Sequence, residues 1–241
     1  MRNRRLRQRF LPILLLLSCG CALAQVDVTA TVTFAARGRK SGKLDTGNVV
    51  LWLTPLDSSP QSLASATPAH PRLVQKNKSF VPHVLVIPVG TKVEFPNQDP
   101  FFHNVFSLFE GKRFDLGLYE AGSTRDVLFD KPGISYIFCN IHAEMSAVVI
   151  ALTTSYYGIS DRAGHVILPR VPPGRYNLHV WYETAQTETL NALTREVVVD
   201  SDATTLGALH LPAPGVVAAH KNMYGHDYPP PTPNQPVYAK P

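Results

Sequence analysis

The stretch Val26-Asp27-Val28-Thr29-Ala30-Thr31-Val32-Thr33-Phe34 alternates apolar and polar residues over nine positions. Successive side chains of a strand point to opposite faces, so this pattern predicts a half-buried β-strand and little else. Shorter runs of strand character follow at Val49–Leu53, Val84–Ile87, Lys92–Phe95, Arg125–Phe129, Ser135–Cys139 and Ala147–Leu152, then at Val166–Leu168, Arg175–Trp181 and Arg195–Val199. Prolines and glycines, 21 and 15 in number, cut the chain between them, and no helical stripe of comparable strength is present. Many short strands separated by turn residues predict an all-β chain built of β-sandwiches. Asp161-Arg162-Ala163-Gly164 and Pro172-Pro173-Gly174 read as two of the turns, since proline presets φ and glycine accepts positive φ.

The first 24 residues read differently. Arg2, Arg4, Arg5, Arg7 and Arg9 precede an apolar run from Leu11 to Leu17, and Ala22-Leu23-Ala24 closes the segment. That is the pattern of a cleaved export signal, which predicts a periplasmic protein. The apolar run is shorter than the roughly 20 residues a spanning helix needs, and no later segment reaches that length, so no transmembrane segment is expected. Lipid anchoring through Cys19 is a weaker alternative, because the small-residue pattern before it is only partly met. The formal charge of +5 belongs to this segment: without residues 1–24 the chain carries 18 Lys and Arg against 18 Asp and Glu. A neutral mature chain gives no footing for nucleic-acid binding. The basic cluster Arg37, Arg39, Lys40 and Lys43 reads as a solvated loop.

Cys19 and Cys21 would leave with the signal, and Cys139 would then have no partner for a disulfide. A single cysteine in an oxidising compartment points to a ligating or reactive thiol. Cys139 opens the run Cys139-Asn140-Ile141-His142-Ala143-Glu144-Met145, and His103 stands 36 residues earlier in Pro100-Phe101-Phe102-His103-Asn104-Val105. Cys139 by itself could be a buried small apolar residue, and either histidine by itself a structural one. Together, one thiolate, two imidazoles and one thioether form a mononuclear copper set, with the thioether as the weak axial ligand. Zinc does not account for the thioether, and a cysteine nucleophile would leave Met145 without a role. Haem attachment would need Cys-x-x-Cys-His, a binuclear copper site a second cysteine, and an oxidase further clustered histidines. The chain is therefore expected not to be an enzyme.

The order His, then Cys-x-x-His-x-x-Met, resembles the cupredoxins, and the tight spacing is most similar to amicyanin. Val89-Gly90-Thr91-Lys92-Val93-Glu94-Phe95, Asn97, His103-Asn104-Val105 and Lys131-Pro132-Gly133 leading into Tyr136-Ile137-Phe138-Cys139 carry the likeness. It covers residues 73–152 and implies a Greek-key β-sandwich. It also implies one type 1 copper ion on His103, Cys139, His142 and Met145, in a protein that passes electrons between transient redox partners. Asn104 would tie the two ligand loops together. Pro100, Phe101, Phe102, Ile141 and Ala143 would form an apolar docking face, from which Glu144 departs.

A second likeness runs from Tyr157-Gly158-Ile159-Ser160-Asp161 to Val171-Pro172-Pro173-Gly174-Arg175-Tyr176, and is to the carboxypeptidase regulatory-like, transthyretin-like β-sandwich. That fold opens with strands like those at 26–34 and 49–53, which implies one discontinuous sandwich from residues 25–57 and 153–212 with the copper unit inserted. Residues 58–72 then form a linker, and the Pro-rich tail 213–241 is expected to be extended or disordered. His220, Met223 and His226 in that tail are expected to stay in solvent. Chains that combine these two likenesses are often labelled for methylamine utilisation, but no residue here points to an amine. Copper delivery, storage or sensing, or a structural envelope role with a lapsed site, are the competing functions.

Overall fold

The structure, a computed structural model, describes residues 25–35, 45–57, 70–108, 110–202, 204–217 and 219–228. The expected export signal, the basic loop at 37–43, most of the expected linker and the tail from 229 onward lie outside these residues. No helix among the described residues is long and apolar enough to cross a membrane.

The strands in chain order are β1 (Val26–Phe34), β2 (Val50–Pro55), β3 (Val74–Gln75), β4 (Phe80–Val81), β5 (Val84–Pro88), β6 (Thr91–Pro96), β7 (His103–Ser107) and β8 (Phe114–Tyr119). They continue as β9 (Thr124–Phe129), β10 (Gly133–Phe138), β11 (Ser146–Leu152), β12 (Tyr157–Ile159), β13 (His165–Val171), β14 (Gly174–Trp181), β15 (Arg195–Val199) and β16 (Thr205–Leu211). A short helix α1, Thr187–Leu193, joins β14 to β15. The all-β expectation is borne out. The helix was not expected: two turns are too few for a 3.6-residue stripe to show in the sequence, and none of its residues is fully buried.

Two sheets, ordered β13-β1-β16 and β12-β2-β14-β15, enclose one core. Val28, Ala30 and Val32 of β1 point into it against Leu51 and Leu53 of β2 and Leu178 of β14, as the alternation in β1 requires. Strands before residue 56 thus share both sheets with strands after residue 156. Gly164 in the turn before β13 has φ +90, and a side chain there would meet the Val32 carbonyl and Thr46. Glycine is the residue that fits.

A five-stranded sheet, β5-β11-β10-β7-β8, and the pair β6-β9 enclose a second core that includes Phe95, Phe129, Ile137, Cys139 and Met145. The backs of the two sandwiches meet in a third cluster. Val148, Ile150 and Leu152 of β11 and Val84 and Val86 of β5 lie there against Val50 and Trp181. This explains why Ala147–Leu152 reads as an unbroken apolar run: Ala147, Val149 and Ala151 face the second core while their neighbours face the third cluster. A strand covered on both sides has no polar face.

Polar contacts also join the sandwiches: the Tyr157 hydroxyl donates to the Val86 carbonyl at 3.3 Å, and His83 pairs with Glu183. His83, just before β5, places Nε2 2.7 Å from Glu183 Oε2 and Nδ1 3.2 Å from the Ser146 carbonyl. The Glu183 hydrogen bond outweighs partial burial and, with the Glu183 charge, raises His83 above the ordinary 6.5. A raised histidine stabilises the fold fully below its unfolded value, and that stabilisation fades as pH rises through the folded value. The urea midpoint should therefore fall between about pH 6 and about pH 8 by more in the native protein than in His83→Gln, and equal slopes would rule the contact out as a source of stability.

Candidate metal centre

β10 and β11 pair antiparallel up to Phe138 and Ser146, which leaves Cys139 to Met145 as the connecting loop. The Cys139 N–H donates to the Met145 carbonyl at 3.3 Å and the Met145 N–H to the His142 carbonyl at 3.1 Å. These bonds close the loop, with Cys139 and Met145 at its base and His142 nearer its tip. Cys139 and Met145 are both fully buried, and His142 is half-buried.

His103 reaches the same place from β7. It was expected on a loop, whereas it is the first residue of a strand, paired with Tyr119 of β8 and fully buried. All five residues of β7 are buried, so the strand has no period-two alternation by which a reading of the sequence could find it. Cys139 Sγ lies 3.7 Å from His103 Nδ1 and 3.5 Å from His142 Nδ1. Among the described residues, His103, Cys139 and His142 are the one group of three such side chains whose ligating atoms lie within 4.8 Å of one another. An ion about 2.0 Å from nitrogen and about 2.3 Å from sulfur, with about 120° between them, sets nitrogen and sulfur about 3.7 Å apart. The observed separations fit a trigonal ion of that kind.

The surroundings set the protonation states. Burial raises the Cys139 thiol, although backbone N–H groups of Ile141, Asn104 and His142 point at the sulfur and act the other way. Burial, aided by the neighbouring His103, lowers His142 to about 4. Burial also lowers His103, against the opposing pull of Asp99. Near neutral pH both imidazoles therefore hold free lone pairs, and the sulfur carries the one proton an incoming ion must displace.

Asn104 differs from expectation. Its side chain donates to Asp115 Oδ1 at 2.7 Å, tying β7 to β8 rather than to the Cys139 loop. Only its backbone N–H faces Cys139. Phe101 lies edge-on to His103 with ring centres 5.2 Å apart and 5.6 Å from His142, so it packs within the site. Pro100, Ile141, Ala143 and Glu144 are exposed beside it.

Two sets of residues were missed in the sequence. Asp99 is buried with Oδ2 2.8 Å from His103 Nε2. The signal available was an aspartate four residues before the histidine, ahead of a proline. The second set lies in residues 219–228, which have no regular secondary structure yet are not free of the fold as expected. The Tyr228 hydroxyl donates to the Cys139 carbonyl at 2.5 Å, and the Met223 N–H donates to Asn140 Oδ1 at 2.9 Å. The His220 ring stacks on Phe138 at 4.3 Å. Nothing local in the sequence announces contacts across more than 80 residues.

No protein-family model matches the chain, and no curated protein matches it. Several solved structures are similar to part of it. A purple cupredoxin from Nitrosopumilus maritimus shares 23% identity over 34% of this chain and 99% of its own, with a TM-score of 0.31. A copper-containing nitrite reductase from Thermus scotoductus shares 27% over 41% of this chain and 25% of its own, with a TM-score of 0.34. A methionine-to-alanine variant of amicyanin, in its Cu(I) form, shares 16% over 42% of this chain and 98% of its own, with a TM-score of 0.33.

Proposed function

We propose that the chain is an exported mononuclear copper protein that carries single electrons between redox partners, with His103, Cys139, His142 and Met145 as the ligands. The observation that carries this reading is the convergence of one buried sulfur and two neutral imidazoles from separate elements, at separations that fit one ion. Copper would supply the redox step, since thiolate and imidazole with a weak thioether suit both Cu(II) and Cu(I).

The rest is the work of the chain. His103 is fixed in a five-stranded sheet, and Cys139 and Met145 are tied by a backbone bond at the base of a hairpin. Ligands held this way need move little when the charge on the site changes. Full burial of His103, Cys139 and Met145 keeps water out, while half-exposed His142 gives an electron its shortest way to a partner. The exposed Pro100, Ile141 and Ala143 would form the apolar rim of that contact.

The same reading takes residues 25–57 and 153–212 as one discontinuous transthyretin-like sandwich into which the copper unit is inserted. The pairing of β1 and β2 with β12, β13, β14 and β16 supports it.

Redox cycling in the presence of a strong Cu(I) chelator tests the function. The copper-loaded protein should bleach with ascorbate, recover its colour with ferricyanide and keep its metal through repeated cycles. Transfer of the metal to the chelator on first reduction would contradict electron carriage and favour delivery.

A further inference from the structure

A buried carboxylate stands behind His103. Asp99 is 4% exposed and His103 not at all, and Asp99 Oδ2 accepts from His103 Nε2 at 2.8 Å. The ring's other nitrogen, Nδ1, is the one that faces Cys139. Asp99 is held in turn: Oδ1 accepts the Asn77 N–H at 2.6 Å, and Oδ2 accepts the Lys78 N–H at 2.9 Å. Its own N–H donates to Asn97 Oδ1 at 3.0 Å.

The Asn77-Lys78 turn is unusual. Both residues have positive φ, 54° and 52°, a conformation that side-chain-bearing residues adopt rarely and that persists where the surroundings impose it. The turn is closed by reciprocal Lys76 and Ser79 backbone bonds. Its effect is to aim two consecutive N–H groups at one carboxylate, an arrangement that receives anions. Burial works against a charge on Asp99, but three donors converge on its two oxygens, and hydrogen bonds to the charged form favour that form. A charge-bearing carboxylate is thus built into the wall of the metal centre.

We propose that Asp99 is a positioning residue that fixes the His103 ring with Nε2 protonated and Nδ1 toward Cys139, and that its buried charge makes the imidazole a stronger donor, favouring the more oxidised ion. The role in setting the potential rests on the electron-carrier reading; the role in fixing the ring does not. A carboxylate hydrogen-bonded to a ligating histidine sets tautomer and ring orientation and raises ligand basicity. Inside a protein an anion at this range acts with little screening, and it favours the state with one more positive charge.

Asp99→Asn tests this. The Cu(II) affinity should fall about 10–100-fold with Cu(I) affinity little changed, so the reduction potential should rise by about 60–120 mV, at 59 mV per tenfold for one electron. Asp99→Glu, which keeps the charge, should recover part of the shift. An unchanged potential in a folded, copper-loaded Asp99→Asn protein would overturn the electrostatic role. The ring role is read without metal and without mutation, from the imidazole ¹⁵N shifts of the native protein. His103 should show the Nε2-protonated tautomer with a strongly hydrogen-bonded proton. Protonation at Nδ1 in its place would overturn the proposal even if no variant folds, and this readout stands whether or not the protein carries electrons.

Discussion

Cys139→Ser should lower Cu(II) affinity by more than about 100-fold and remove the sulfur-to-copper absorption band completely. A serine hydroxyl does not ionise near neutral pH, so the variant keeps two neutral imidazoles but loses the only anionic member of the proposed ligand set. The loss has a second signature in protons. With His142 lowered to about 4 and His103 also lowered, neither ring carries the second proton that makes it a cation at pH 7, while the buried Cys139 thiol keeps its own. Loading should release about one proton per ion from the native protein and close to none from the variant, as read by an indicator dye in weak buffer. The native affinity should weaken about tenfold per pH unit near pH 7, and more steeply at lower pH as the imidazoles begin to compete, His142 from about pH 4. A variant that kept both the band and the released proton would place the metal elsewhere.

Trp181→Ala should cost about 3–5 kcal/mol of stability, the largest effect expected of any substitution outside the metal centre. Trp181 is 1% exposed at the end of β14, directly across from Val50 in the strand register. Its ring fills the cluster where the backs of the two sandwiches meet, beside Val84, Val86, Val148, Ile150 and Leu152. Its indole also acts on the Tyr136 hydroxyl, opposing the rise that burial gives that group, so truncation removes both apolar contact and a polar neighbour. That cluster covers one face of β5 and β11 while the second core covers the other, so closing the cavity would move the sheet that carries the Cys139 hairpin. Urea denaturation measures it. Val198→Ala, at 59% exposure on β15, serves as the control and should stay within about 0.5 kcal/mol. A loss below about 1 kcal/mol at Trp181 would mean that the two sandwiches do not depend on each other.

What the sequence made legible follows from how local each signal is. β1 declares itself because one face is wet and the other dry. β11 declares itself by length and apolarity, although only the structure shows that two different cores divide its residues. The grouping of Cys139 and His142 was legible because the spacing of one hairpin sets them together, and the single cysteine drew attention to it. β7 was not, because a strand that carries His103 and Asn104 into a buried site has neither an apolar face nor an exposed one. Asn104 was assigned to the wrong neighbour for the same reason: the shift in register between β7 and β8 after Asn104, which sets its side chain against Asp115, has no local mark. Tyr228 and Met223 meet the site only through folding at a distance, and Asp99, though four residues from His103, lies in an irregular segment where no strand or helix period marks it.

The most direct measurement is a titration of the metal-free full chain with Cu(II), followed by visible absorption. If His103, Cys139 and His142 share one ion, an intense sulfur-to-copper band should grow linearly and stop at one equivalent. Only weak copper absorption, without saturation and unchanged by blocking Cys139, would show that these side chains meet for some other purpose.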